Sequence, residues 1–266
     1  PETPLSWLRV GWILLGAVLA HVAVNALNEY ADFTSGLDLH TQRTPFSGGS
    51  GTLPAAPDGA HWALWLGAGA LLACCLIGLW LTLTSGPGLL VIGAVGVLTV
   101  LSYTRYLNRY PWLCLPAPGI GFGLCIVLGT EYALTGGLSL RGWLAALVVY
   151  GLVSNLLLLN QFPDLEADRA HGRRHLVIVK GRVWAARLFR AQLLGVFALI
   201  LLGVWADIWS TWALLALLGL PLLVPLLRDL QRHADEPAHL LRAMGLNVVL
   251  NHLVPGALAL GLWWAA

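Results

Sequence analysis

Apolar runs of roughly 20 residues recur along this chain, near 7–28, 62–83, 87–104, 117–134, 142–160, 184–206, 211–227 and 244–264. As a helix rising 1.5 Å per residue, a run of that length crosses the ~30 Å hydrocarbon core of a bilayer. Lipid offers no hydrogen-bond partner to a bare backbone, so each run is expected to be helical. The fold expected is therefore all-α, a polytopic transmembrane bundle of about eight spans forming a single domain over residues 1–266. Composition decides between this and a soluble helical core. Hydrophobic residues make up 58% of the chain and charged residues 11%, where a soluble domain carries about 25%. The mean hydropathy is +0.76.

The connections between runs alternate in charge. Those after the first, third, fifth and seventh runs carry Arg43, then Arg105 and Arg109, then Arg169, Arg173, Arg174, Lys180 and Arg182, then Arg228, Arg232 and Arg242. Those after the second, fourth and sixth carry only Arg141. By the positive-inside rule the first set faces the cytoplasm. Tryptophans such as Trp80, Trp143, Trp205, Trp263 and Trp264 fall near the opposite boundary, as an aromatic belt would. A net charge of +2 with no Lys/Arg block argues against a nucleic-acid partner. Cys74, Cys75, Cys114 and Cys125 show no Cys-x-x-Cys spacing and read as small apolar residues.

Polar residues then become the informative ones. His21, Asn25, Asn28 and Asp32 follow at steps of four, three and four, which is one helical face. Polar groups in a membrane helix face a cavity or a partner helix, and His21 and Asn25 fit interhelical hydrogen bonding. Asn28 and Asp32, joined by Asp38, are mirrored at the end of the fifth run by Asn160, Asp164 and Asp168. Both clusters lie at the same predicted membrane face. Hard oxygen donors in this number suit magnesium held between carboxylates and phosphate oxygens, because carboxylates alone would repel an anionic substrate. Asp32, Asp38, Asp164 and Asp168 are the expected metal ligands and catalytic acids, with Asn28 and Asn160 adding amide oxygens or orienting phosphates. Glu29 and Glu166 lie off the shared face and read as secondary. Arg173, Arg174 and Arg43 are candidate diphosphate contacts, with simple topological charge as the competing reading.

The first connection, about residues 29–60, is too long for a plain turn. Its Ser47-Gly-Gly-Ser-Gly51 segment is able to fold over a site. The seventh connection, about 228–243, mixes both charge signs and is expected to form a short interfacial helix.

Asn28-x-x-x-Asp32-x-x-x-Gly36-x-Asp38 and Asn160-x-x-x-Asp164-x-x-x-Asp168-Arg169-x-x-Gly172-Arg173-Arg174-x-Leu176 resemble the two Asp-rich motifs of the UbiA superfamily of intramembrane prenyltransferases. The position of Asp38 is most similar to the branch that prenylates 1,4-dihydroxy-2-naphthoate for menaquinone. The resemblance implies nine helices around a central cavity, one more than the runs counted here, with the extra helix preceding the first motif. It also implies Mg2+, an isoprenyl diphosphate with its tail in an apolar tunnel, an aromatic acceptor, and a bacterial inner-membrane enzyme with its site on the cytoplasmic face. Tyr103 and Arg105 fall in a segment like the family's tyrosine-containing one, which implies substrate binding; an interfacial anchor is the other reading of Tyr103. Gln161 and Pro163 depart from the family pattern.

The acceptor reading has rivals within the family, in 4-hydroxybenzoate or in cyclisation of the prenyl chain. From another class, an ion-coupled transporter would place its acids near the midplane on broken helices, not at one boundary. A CDP-alcohol phosphotransferase would carry Asp-Gly and Ala-Arg together within one motif, which this sequence does not.

Overall fold

The computed structural model describes residues 6–103 and 106–265, and the described residues contain helices and no strand. Seven helices are long and apolar enough to cross a bilayer, and an eighth apolar helix is shorter. They are α1 (Trp7–Thr34), α2 (Ala60–Ser85), α3 (Gly88–Tyr103), α4 (Pro111–Thr135), α5 (Leu140–Ala170), α6 (Arg182–Trp205), α7 (Thr211–His233) and α8 (Leu241–Trp264). Every apolar run of the sequence is matched by one of them. The short helix α3 has 16 residues, roughly 24 Å of rise, less than a full hydrocarbon core.

The two helices that carry the Asp-rich motifs outrun the hydropathy signal. α1 has 28 residues and α5 has 31, roughly 42 and 46 Å at helical rise. Hydropathy reports only the part in lipid, so the last polar turns of each were invisible to it. Both helices begin on a serine cap: Ser6 Oγ accepts from the Arg9 amide at 3.4 Å, and Ser139 Oγ accepts from the Gly142 amide at 3.0 Å. α5 runs on through Pro163, which cannot donate to the carbonyl one turn earlier.

Packing is uneven between the two ends of the sequence. α5 touches α4, α6 and α8, and together with α6–α8 it encloses the main core. Leu152, Leu158, Leu159 and Phe162 of α5, Phe189, Leu193 and Ile200 of α6, and Leu250 and Val254 of α8 are fully shielded there. In the most apolar window of α5, 44% of residues are buried, against 11% in that of α1. In lipid, helices associate through close contact and not through escape from water, which favours small residues at crossings. Gly119 and Gly123 of α4 provide such a crossing: a Cβ at either would overlap Tyr150 of α5. The same stretch, Gly119–Cys125, is wound as a π-helix, a local widening common beside functional sites. α1 to α4 pack less densely, and the space they leave against α5 is a cavity.

Candidate active site at the head of the cavity

The cavity has a volume of about 1220 Å³. One end is closed by Ile13, Leu81, Leu89 and Ala133, a small apolar cluster. The other end holds Asp32, Asp38, Asp164 and Asp168. From Ile13 to Asp32 along α1 is 19 residues, roughly 28 Å of rise, so the cavity runs most of the depth of a bilayer. Leu79, Leu90 and Leu98 line it and are also more than half exposed, so its side wall opens to the lipid-facing surface.

The acids reach this point through two similar helix endings. α1 stops at Ser35, and Gly36 takes a left-handed φ of 81°. The chain then turns through the short helix Leu37–His40, which buries Asp38 beside the cavity. α5 stops at His171, and Gly172 takes a φ of 77°. There the Gly172 amide donates to the Arg169 carbonyl at 3.2 Å and the Arg173 amide to the Asp168 carbonyl at 3.0 Å, the pair of bonds of a Schellman turn. That turn folds Arg173 back over its own helix end.

Arg173 joins the two motifs. Its guanidinium donates from Nη1 to Asp168 Oδ1 at 3.0 Å and from Nη2 to Asp32 Oδ1. The second oxygen of each acid is also engaged. Asn28 Nδ2 donates to Asp32 Oδ2 at 2.8 Å, and buried His175 donates from Nε2 to Asp168 Oδ2 at 3.0 Å. Burial works against the charge of Arg173, but Asp32 and Asp168 outweigh it and hold the guanidinium above its ordinary range. Asp38 is pushed up to about 6, first by burial and then by the negative charges of Asp32 and Glu29.

Three further oxygens at the head are buried with no hydrogen-bond partner: Asp38 Oδ2, Asn160 Oδ1 and Asp164 Oδ1. Among the described lining residues there are five carboxylates, Glu29, Asp32, Asp38, Asp164 and Asp168, and one guanidinium, that of Arg173. Unpaired buried acids are costly, so the head as built calls for added positive charge. A loop covers it. Thr44 Oγ1 accepts from the Phe46 and Ser47 amides at 3.1 and 2.9 Å, and Ser47 sits beside Asp164. Gly49 has a φ of 73°, and a Cβ there would lie 3.0 Å from Asp38 Oδ1. Ser50 ties the loop to α1, its hydroxyl donating to Glu29 Oε1 at 2.5 Å.

Of the residues singled out in the sequence, Asn28, Asp32, Asp38, Tyr103, Asn160, Asp164, Asp168 and Arg173 all line this one cavity. Two of the expected substrate contacts lie outside its lining. Arg174 is exposed and does not line it, although Arg173 and His175 on either side of it both reach Asp168. Arg43 is exposed and lies over Gly51 at the rim, outside the lining. Arg105 lies outside the described residues. His21 and Asn25 line the cavity: His21 rests edge-on against Phe122 of α4, and Asn25 donates to the His21 carbonyl of its own helix. Glu166 is exposed and paired with Arg169 at 3.1 Å. Sequence reasoning missed His175, and it singled out Ser47 only as part of a segment able to fold over a site. The clue for His175 was its place two residues after Arg173 in a segment too short of helix signal to turn it away.

A family model, described as the UbiA prenyltransferase family, matches residues 1–249. Similar proteins include the 1,4-dihydroxy-2-naphthoate octaprenyltransferase of Mycobacterium leprae (strain TN), 28% identical over 261 residues, 96% of this chain and 85% of that protein. The protein of the same name from Escherichia coli (strain K12) is 27% identical, over 92% of this chain and 79% of its own length. That of Bacillus subtilis (strain 168) is 25% identical, over 94% and 79%.

Proposed function

The chain belongs to the UbiA prenyltransferase family and is an integral membrane prenyltransferase, and on that footing we propose that it transfers an isoprenyl group from a prenyl diphosphate to 1,4-dihydroxy-2-naphthoate, with magnesium, in menaquinone biosynthesis. The observation that carries this reading is the joining of two acid-rich helix ends at the polar head of a long apolar cavity. The arrangement fits a substrate with an anionic head and a hydrocarbon tail. The similar proteins named above, each a 1,4-dihydroxy-2-naphthoate octaprenyltransferase, support the acceptor. The Arg and Lys residues at the acid end support a cytoplasmic site in a bacterial inner membrane.

The residues present fit a hard divalent ion. Asp38 Oδ2, Asn160 Oδ1 and Asp164 Oδ1 are buried without partners, and all are oxygens. Asp32, Asp38, Asp164 and Asp168 would hold magnesium, which when bound supplies the positive charge that lets diphosphate leave. The remaining work falls to the chain. Arg173 donates to phosphate oxygens from between the two motifs, in the planar geometry suited to them. Asn28 and Asn160 orient the same group. The carbon–oxygen bond of the donor breaks to give an allylic carbocation. Around it, the apolar lining excludes water that would otherwise capture it. Tyr103, at the end of α3, presents one wall of that space. A ring carbon of the acceptor then attacks, and the ring loses carbon dioxide and a proton.

The test is incubation of the purified protein with magnesium, a labelled prenyl diphosphate and a panel of aromatic acids, with products read by mass spectrometry. Prenylated, decarboxylated naphthoate is expected. Product from 4-hydroxybenzoate instead, or a cyclised prenyl chain, would overturn the acceptor. Asp32→Ala and Asp164→Ala should each abolish transfer, and near-normal turnover by either would overturn the site.

A further inference from the structure

Far from the acids in sequence, the turn between α7 and α8 gathers three metal-ligating side chains. His233 ends α7, Glu236 follows in the turn, and His239 lies in the 3-10 helix Pro237–Leu240. Their spacing of three is matched by the backbone: the Glu236 amide donates to the His233 carbonyl and the His239 amide to the Glu236 carbonyl, each at 2.9 Å. At three residues per turn, side chains three apart eclipse, so all three stand on one side. Each offers one ligand atom, and the three atoms lie within 4.8 Å of one another.

The three ligand atoms are close enough to share one ion, and Glu236 also accepts a hydrogen bond from His239. Glu236 Oε2 is 2.8 Å from His239 Nδ1 and 3.4 Å from His233 Nδ1. Ligands on a tetrahedral zinc at about 2.0–2.1 Å are about 3.3 Å apart, between these values. His233 Nδ1 is moreover shielded from solvent and makes no hydrogen bond of good geometry, although it points at the carboxylate. The group is otherwise open, with side chains 37%, 61% and 63% exposed for His233, Glu236 and His239. Imidazole with one carboxylate selects zinc and its transition-metal neighbours over magnesium, the reverse of the all-oxygen cavity head.

We infer that His233, Glu236 and His239 form a second metal site, one that takes a single zinc-type divalent ion on three protein ligands and clips the α7–α8 turn. The ion adds a cross-link to a turn already spanned by the Arg242–Asp229 ion pair at 3.7 Å.

The experiment is a Co2+ titration followed by visible absorption, with Zn2+ in competition. The protein is purified in detergent, freed of any affinity tag, and held in excess Mg2+ so that the cavity acids are occupied. One equivalent of Co2+ with ligand-field bands, displaced by one equivalent of Zn2+, is expected, together with a higher unfolding midpoint in Zn2+. Glu236→Gln should weaken binding at least tenfold, and His233→Gln with His239→Gln should abolish it. In both, the metal-free unfolding midpoint and the magnesium-supported transfer rate should stay as in the parent. No stoichiometric binding, or binding unchanged in the double variant, overturns the site.

Discussion

Replacing Arg173 with glutamine would leave Asp32 and Asp168 buried together without the cation they share. Breaking a buried ion pair costs about 3–5 kcal/mol, and with 21% of the Arg173 side chain exposed the loss should sit toward the lower end. The expected outcome for Arg173→Gln is a lower unfolding midpoint in detergent, part of which saturating magnesium restores, alongside a loss of transfer. Arg174→Gln, one residue on, should leave both within error, because that side chain is exposed and outside the cavity. His175→Ala removes a buried partner of Asp168 and should cost about 1–3 kcal/mol of stability, measurable by the same melt. The contrast between neighbouring arginines shows what a sequence hides at this scale. The acids were legible because a spacing of four fixes a helical face in advance. Arg173, Arg174 and His175 follow a helix end, where only the turn geometry decides which side each takes.

At the scale of elements, the apolar runs were readable because hydropathy and a bilayer thickness suffice to place them. The extra turns of α1 and α5 were not, since they are polar and owe their helicity to continuation of the ladder into contact with the covering loop. Gly172 is the hinge of the second ending. Its left-handed φ of 77° costs a residue with a Cβ about 1–2 kcal/mol, although the space around it is open. Gly172→Ala should therefore lower transfer more than it lowers the melting midpoint, because relief of the strain moves Arg173 and His175 off Asp168. Gly123→Val should do the opposite. It forces α4 away from the Tyr150 backbone, and a falling midpoint with aggregation in detergent is the expected result.

For the whole molecule, the dense core among α5–α8 serves as the wall against which a looser set of helices leaves room. Ala20 lines that room 12 residues above Asp32, roughly 18 Å along α1. Ala20→Trp should leave transfer from a short prenyl diphosphate near normal and reduce that from a long one by at least about tenfold, equivalent to 1.4 kcal/mol. Equal rates for both donors would mean that the tail lies elsewhere. The side wall, where Leu79, Leu90 and Leu98 both line the space and face outward, has a physiological corollary. A product with a long hydrocarbon chain need never pass through water to depart. It can slide sideways into the surrounding leaflet, so the opening that admits the donor's tail is also an exit for the joined molecule.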